Sequence, residues 1–343
     1  MGVNLSGILE PKELELRDLA NRTLAVDAHN TIYQFLSIIR QPDGTPLMDH
    51  AGNVTSHLSG LLYRNVALME QGIRPCYVFD GRIHELKLDT VKERRERREA
   101  AIKDWEAALD DGDMERAYSK AMQSSRMTKD VLESSRELLG LMGIPVIEAP
   151  MEGEAQAAHM CIKGDVWAVS SQDFDSLLFG APRLVRNINI TGRRKMPGKN
   201  VYRNVRVEML ELPKVLESLN ISREELVQMC VMMGTDFNTG ISGIGPKRGL
   251  ALIRKHGSIE ASLEHLGMEM PGYESVMDIF LNGSYNEDYD LSMKDIDRDG
   301  LAEFLCEKHD FSPERVSSTI DKLQQGRQEI ENSGRQKSLD MFF

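Results

Sequence analysis

Acidic side chains recur at the ends of apolar runs in this 343-residue chain. The runs TLAVD, YVFD, IPVIEAPM and WAVSSQ each end in, or are followed by, one or two carboxylates, and a further one closes the segment MMGTD. The residues are Asp27, Asp80, Glu152, Glu154, Asp173, Asp175 and Asp236. Like charges gathered in one cleft raise one another's pKa and destabilise the fold unless cations neutralise them. The repetition therefore predicts a divalent-metal site.

The ligand type indicates which metal this site would take. Carboxylate oxygens without an accompanying His or Cys suit Mg²⁺ or Mn²⁺ better than Zn²⁺. Six or seven carboxylates exceed the needs of one Mg²⁺, so we expect two ions, as in two-metal phosphodiester hydrolysis. Each acid taken alone has a simpler explanation. Glu152 and Glu154 would stabilise the first turn of a helix, and Asp80 before Gly81 is ordinary turn chemistry.

The elements that must position these acids are predicted from hydrophobic periodicity. Short β-rich runs at 23–29, 75–81, 144–150 and 166–171 alternate with helical segments near 30–40, 55–71, 128–142 and 152–163. This alternation is typical of an α/β protein with a mainly parallel central sheet flanked by helices. In such a sheet the carboxyl ends of the strands converge on one edge, where ligands bind. From residue 207 onward the pattern is helical, broken by GTDFNTGISGIGPKRG at 234–249.

Charge is distributed unevenly along the chain. The net charge is −12, yet residues 183–206 hold eight Lys or Arg and no acid, whereas residues 258–310 hold fourteen acids against three bases. We therefore expect one basic and one acidic surface. The insertion at 82–127 is highly charged and has almost no aliphatic stripe, which predicts a helical segment outside the core.

Composition excludes several classes of protein. The four cysteines lie far apart with no zinc-like spacing, so neither a disulfide framework nor a zinc site is indicated. No apolar run approaches the roughly 20 residues of a membrane helix, and the first twenty residues are too charged for a signal peptide. We expect a cytoplasmic protein with no membrane partner.

Taken together, the motifs resemble the flap endonucleases, structure-specific 5′ nucleases of the XPG/Rad2 family, and in particular the archaeal members. LAVDAHNTIYQFL, YVFDG, EAPMEGEAQAA, SSQDFDSLLFG, GTDFNTGISGIGPKRGLALI and FLCEKHDFSPERV occur in the order and context of that family. The resemblance covers essentially the whole chain. It implies a PIN-like nuclease core and an archaeal source.

The resemblance also implies roles for individual residues. The seven acids would carry two Mg²⁺ ions, with Mn²⁺ as an alternative, and the 82–127 insertion would be the helical arch through which a 5′ flap passes. Lys87 and Arg94 would be catalytic, positively charged residues of the arch that reach the scissile phosphate. Tyr33 would stack on a nucleobase of the DNA. Arg40 and Arg64 match positions that contact the upstream DNA. For Tyr33 a place in the core is the alternative.

The segment GISGIGPKRG predicts a second DNA contact. Pro246 suits the first helical position, and Lys247 and Arg248 in the first turn oppose the helix dipole, so an anion is expected there. By resemblance this is a helix-turn-helix whose Gly243, Gly245, Lys247 and Arg248 hold a duplex phosphate, with a K⁺ ion in many relatives. Gly240 stands where many of those relatives have a K⁺-binding Ser.

The same motifs and the same resemblance predict the domain organisation. We expect one nuclease domain over 1–325, comprising an N-terminal region at 1–100, an arch at about 82–127 and an intermediate region at about 128–258. A flexible tail at 326–343 would follow. Its last residues match a sliding-clamp (PCNA) binding box, formed by Gln336, Leu339, Phe342 and Phe343.

The function implied is removal of 5′ flaps from branched DNA during lagging-strand replication and base excision repair, by a monomeric endonuclease that also has 5′ exonuclease activity. A related repair or junction nuclease of the same superfamily is one alternative. A clamp-tethered DNA-binding protein without catalysis is the other, and it would need no carboxylate cluster.

Overall fold

The computed structural model describes residues 2–190, 192–195 and 202–340, and it places the side chains of 2–190 and 204–332. The strands are β1 (Lys12–Leu14), β2 (Thr23–Asp27), β3 (Arg74–Phe79), β4 (Val146–Glu148), β5 (Ala168–Ser170), β6 (Arg183–Arg186), β7 (Gly192–Lys195), β8 (Tyr202–Val205) and β9 (Val207–Glu211). Seven of them form one sheet in the order β1-β9-β6-β5-β2-β3-β4, and β7 and β8 pair separately. β2 to β6 run parallel, and β9 is antiparallel to both β6 and β1. The expected mainly parallel sheet is confirmed.

Helices cover both faces of this sheet. They are α1 (Ala28–Ile38), α2 (Ser56–Glu70), α3 (Leu88–Asp110), α4 (Met114–Gln123), α5 (Lys129–Leu141), α6 (Gly153–Lys163), α7 (Asp175–Leu178), α8 (Leu212–Leu219), α9 (Arg223–Met233), α10 (Pro246–His256), α11 (Ile259–Leu266), α12 (Tyr273–Leu281), α13 (Arg298–Ala302) and α14 (Pro313–Asp340). Alternate residues of β2 face opposite layers, as the period of a strand requires. Leu24 and Val26 belong to the core with α1, α2, α5 and α14, and Ala25 belongs to the core with α6 and α9.

All four strands predicted from the sequence are present, but the sequence does not predict β6, β9 and β1, which lie on the other side of β5 in the sheet. β6 carries an Arg at each end, and β1 has only three residues, two of them exposed and charged. β9 reads VEMLE, and Glu, Met and Leu are good helix formers, so its sequence indicates a helix. Its pairing with β6 and β1 decides its conformation instead.

The charged insertion forms a helical hairpin in which α3 and α4 fold back on each other. The buried positions of the two helices are alanines, Ala101 and Ala108 on α3 and Ala117 and Ala121 on α4. Small side chains allow close approach but contribute little to a hydrophobic pattern, which explains why the sequence showed no stripe. The hairpin is also fixed to α1, because the Tyr118 hydroxyl donates to the Ile38 carbonyl (3.1 Å).

The C-terminal helix extends past the expected end of the folded domain. Val316, Ile320, Leu323 and Ile330 are buried at helical spacing on α14. The Arg327 guanidinium donates to the Met293 carbonyl at 2.6 Å. The boundary placed at 326 is therefore corrected to a point beyond Ile330. The backbone of the predicted clamp box is helical up to Asp340, and Phe342 and Phe343 lie outside the described residues.

Candidate active site

Strand order brings the predicted acidic residues to one edge of the sheet. β2 lies between β5 and β3, and β4 lies beyond β3, so four parallel strands end side by side. Asp27 ends β2 and caps α1 by accepting from the Asn30 backbone N–H. The acids that follow β3, β4 and β5 begin the next connection at the same edge, where ligands bind in open parallel sheets. Asp236 follows the end of α9 and contacts the same Lys87 that pairs with Glu152.

The carboxylates at this edge of the sheet raise one another's pKa. Burial, followed by the charge of Asp80, raises the pKa of Asp27 to about 7. Burial and the charge of Asp173 raise the pKa of Asp175 to about 7 as well. Burial and then the charge of Asp175 raise the pKa of Glu154 well above its ordinary value. Because each group disfavours ionisation of its neighbours, the cluster is costly to hold as anions without cations.

Several neutral groups that sequence reasoning missed hold the carboxylates in place. Backbone N–H groups of Val3 and Gly153 donate to Asp175 Oδ1 (2.8 Å) and Asp80 Oδ1 (2.7 Å). A Cβ on Gly153 would lie 2.8 Å from that same Asp80 oxygen, so a side chain at this position would displace the Asp80 carboxylate. No periodicity signals such contacts, since they join residues far apart in the chain.

Two arch cations reach into the carboxylate cluster. Lys87 Nζ lies 2.6 Å from Glu152 Oε2 and 3.6 Å from Asp236 Oδ2, and its side chain is only 16% exposed. Arg94 binds Asp236 through one nitrogen at 2.5 and 2.6 Å. Burial alone would lower the pKa of Lys87, but the Glu152 carboxylate reverses this and holds the pKa above its ordinary value. The seven-residue spacing therefore directs both cations inward.

The donor set fits divalent cations. Glu154 Oε1 is buried and has no hydrogen-bond partner among the described residues, which leaves a carboxylate oxygen that a cation would satisfy. No three Asp, Glu, His or Cys side chains in the described part of the chain are arranged to hold an ion as they stand. Lys87 contacts Glu152 Oε2, and Arg94 contacts both carboxylate oxygens of Asp236, so these two acids already have cationic partners. The oxygen-only chemistry suits Mg²⁺ or Mn²⁺.

Tyr33 is on α1 and is 38% exposed, so the alternative of a core tyrosine is wrong. Arg40 is used inside the protein. Its guanidinium donates to the carbonyls of Leu36 (2.9 Å) and Gly44 (2.7 Å) and to Ser125 Oγ (2.8 Å). These bonds tie α1 to the base of the arch, which gives Arg40 a structural role. Arg64 is half-buried on α2.

The predicted helix-turn-helix is formed by α9, the turn at 234–245 and α10. Gly245 precedes α10, Pro246 occupies its first turn, and Lys247 and Arg248 are exposed there. Gly243 has φ +79°, a left-handed conformation that favours glycine. A Cβ on Gly240 would lie 2.2 Å from the Met233 carbonyl, so the turn leaves no room for a side chain at that position.

Part of the basic segment at 183–206, called the basic strip below, forms contacts within the sheet. Arg183 donates to the Trp167 carbonyl, Arg186 pairs with Glu208, and Arg206 pairs with Glu13. The remaining basic residues of the strip lie on or between β7 and β8, where side chains are outside the described part of the chain. Among the described residues of the strip, Arg183, Arg186 and Arg206 are therefore engaged within the protein.

Comparisons with known proteins agree with this geometry. Residues 1–101 match the XPG N-terminal domain, and residues 143–236 match the XPG I-region. Flap endonuclease 1 of Methanosarcina acetivorans is 48% identical over 343 residues, covering all of both chains. This chain belongs to the flap endonuclease family.

Two further similarities support the assignment of this chain to the flap endonuclease family. Flap endonuclease 1 of Pyrococcus furiosus is 47% identical, with 100% of this chain and 99% of that protein covered. The solved structure of flap endonuclease-1 from Methanococcus jannaschii has a TM-score of 0.77 at 39% identity, covering 97% of this chain and 100% of that one. The expected family, nuclease fold and enzyme class are confirmed. The family consists of metal-dependent nucleases that act on branched DNA.

Within the described residues, no helix of this flap endonuclease combines the length and the apolar character needed to cross a membrane.

Proposed function

We propose that this flap endonuclease hydrolyses one phosphodiester at the base of a 5′ flap, using two divalent cations held by the seven carboxylates. The observation that carries the proposal is the convergence of raised-pKa carboxylates with two arch cations at one sheet edge. When bound, the divalent cations supply activation of water and neutralisation of charge on the leaving oxygen. The biological role would be removal of flaps in lagging-strand replication and base excision repair.

The residues of the arch would act on the phosphate. Lys87 is paired with Glu152 and Arg94 is paired with Asp236. A phosphate entering the site offers both cations an anionic partner, so they would exchange their carboxylates for phosphate oxygens and stabilise charge that develops there. This exchange would free Glu152 and Asp236 for cation binding. Tyr33, exposed on α1, would stack on the unpaired base next to the cleaved bond.

The duplex would be held away from the carboxylates. Gly243, Gly245, Lys247 and Arg248 surround the exposed N-terminus of α10, where backbone N–H groups and two cations can bind a phosphate. A K⁺ ion at this turn would rely on backbone carbonyls, since residue 240 has no room for a side chain. Arg64 remains a proposed contact with upstream DNA. We do not include Arg40, whose donors are used within the protein.

The C-terminal residues Gln336, Leu339, Phe342 and Phe343 would bind a sliding clamp, with the nuclease acting as a monomer. Removing residues 333–343 tests this. We expect loss of clamp-dependent stimulation with unchanged cleavage in the absence of the clamp. Equal stimulation of the truncated and complete proteins would refute the clamp-binding assignment.

The central test uses an end-labelled flap duplex, with and without Mg²⁺. We expect cleavage only with Mg²⁺, yielding a 5′-phosphate on the released strand. Asp173→Ala should abolish cleavage while flap binding persists, because the duplex site at α10 is separate. Unchanged cleavage by this variant would refute the metal assignment. Cleavage of four-way junctions in preference to flaps would favour the junction nucleases of the superfamily.

A further inference from the structure

Two uncharged residues connect Asp27 with Asp173: Asn30 binds both carboxylates, and Ser171 binds the Asp27 carboxylate and the Asp173 backbone. Ser171 Oγ donates to Asp27 Oδ2 at 3.0 Å and accepts from the Asp173 backbone N–H at 3.2 Å. Asn30 Nδ2 donates to Asp173 Oδ2 at 3.1 Å, and the Asn30 backbone N–H donates to Asp27 Oδ1 at 3.0 Å. The pair is therefore joined twice, once from α1 and once from the connection after β5.

These contacts fix the orientation of the carboxylates. Both oxygens of Asp27 accept a hydrogen bond, so rotation of its carboxylate about the Cβ–Cγ bond would break one of them. Ser171 is 4% exposed and Asp27 is 7% exposed, so water cannot readily replace the lost partner. Unlike Lys87, the two donors carry no charge. They hold the carboxylates in place and leave the negative charge available to a cation.

Local helix formation does not account for the Asn30 side chain. The cap of α1 needs only the Asn30 backbone N–H, which binds the Asp27 side chain. The amide group instead reaches Asp173, 143 positions away in the sequence. The Asn30 side chain therefore links two connections at the active-site edge, and this contact holds the site together.

We propose that Ser171 and Asn30 are positioning residues for divalent-cation binding: Ser171 orients the Asp27 carboxylate, and Asn30 orients the carboxylates of both Asp27 and Asp173. The inference rests on the proposed metal-dependent hydrolysis and identifies residues outside the expected ligand set. Partners that orient metal ligands are worth about 10- to 100-fold in metal affinity. Removing either side chain should therefore weaken cation binding even though neither residue is itself a ligand.

A matched control is available in the same buried region. Ser176 follows Asp175 directly and is completely buried, but its Oγ forms no hydrogen bond with any residue that the structure describes. Ser176→Ala removes the same atom as Ser171→Ala without removing a contact to a carboxylate. We expect Ser176→Ala to bind cations as the wild type does.

The experiment measures Mn²⁺ binding by the signal of free Mn²⁺ in electron paramagnetic resonance, without DNA, for the complete protein. Ser171→Ala and Asn30→Ala should each weaken affinity by about 10- to 100-fold, and Ser171→Thr should restore most of it because the hydroxyl returns. If the two side chains only stabilise the fold, the alanine variants should unfold at a lower urea concentration in EDTA, and the folded variants should bind Mn²⁺ with wild-type affinity. That result in both alanine variants would overturn the proposal.

Asp173→Ala separates this inference from the proposed function. Wild-type Mn²⁺ affinity in Asp173→Ala would overturn the metal assignment, and the positioning role would fall with it. Weak binding in Asp173→Ala together with wild-type binding in Ser171→Ala and Asn30→Ala would overturn only the positioning role. Asn30→Ala also provides a second reading should Ser171→Ala fail to fold.

Discussion

Raising the pH in the absence of divalent cations should destabilise the folded protein. Asp27 and Asp175 have folded-state pKa values of about 7, against an ordinary value of 3.8. Between pH 3.8 and about pH 7, the native state therefore binds more protons than the unfolded state. The stability that these protons contribute is fully present below pH 3.8 and is lost as the pH rises through about 7. Glu154, whose pKa is also raised, acts in the same direction.

The size of the effect follows from linkage. For one carboxyl group with these two pKa values, the free energy of unfolding falls by about 3 kcal/mol from about pH 5 to about pH 8. Asp27 and Asp175 are 7% and 5% exposed, so solvent screens them little. Because the carboxylates of the cluster repel one another, their losses do not simply add. We expect a total fall of about 3 to 6 kcal/mol.

Urea unfolding followed by circular dichroism measures this fall, at several pH values in EDTA and in excess Mg²⁺. Mg²⁺ should remove most of the pH dependence, because bound cations keep the carboxylates ionised in the native state. Asp27→Asn should flatten the EDTA profile, whereas Asp110→Asn, at an exposed position on α3, should leave it unchanged. Stability in EDTA that stays constant or rises over this pH range would refute the reasoning.

Three further changes test other parts of the site. Lys87→Ala should slow single-turnover flap cleavage by about 10²- to 10³-fold, whereas Arg97→Ala, an exposed arch arginine, should not; equal rates would contradict the arch assignment. Gly240→Ser should lower the free energy of unfolding by about 1–3 kcal/mol in urea, because its Cβ would meet the Met233 carbonyl, and wild-type stability would contradict this steric account. Arg40→Ala should cost about 3 kcal/mol of stability and leave flap affinity unchanged, and the reverse pattern would make Arg40 a DNA contact.

Much of the fold could be predicted because periodicity and strand-end chemistry are local signals. The runs around Asp27, Asp80 and Asp173 predicted parallel strands, and those strands put the acids at one edge. β9 could not be predicted, since VEMLE has a helical composition and becomes a strand only by pairing with its neighbours. The end of the folded domain was misplaced for a related reason. Polar residues separate Leu323 from Ile330 on α14, and only packing reveals that Ile330 is buried.

The site was predictable in its charged residues and unpredictable in its neutral ones. Carboxylates at strand ends stand out in a sequence because a charge next to a buried strand needs an explanation. Lys87 and Arg94 stand out because their seven-residue spacing places both on one side of a helix. Ser171 and Asn30 do not, since serine and asparagine occur in every turn and their partners lie elsewhere in the chain. The internal use of Arg40 was hidden in the same way.

The central claim is that distant acids form one pocket that holds two divalent cations. Crystals of the protein soaked in Mn²⁺, measured at a wavelength where manganese scatters anomalously, test it directly. The account predicts two anomalous peaks about 4 Å apart, between the carboxylates of Asp80, Glu154 and Asp175. The absence of peaks there at saturating Mn²⁺, or peaks only at other acidic surfaces, would contradict it.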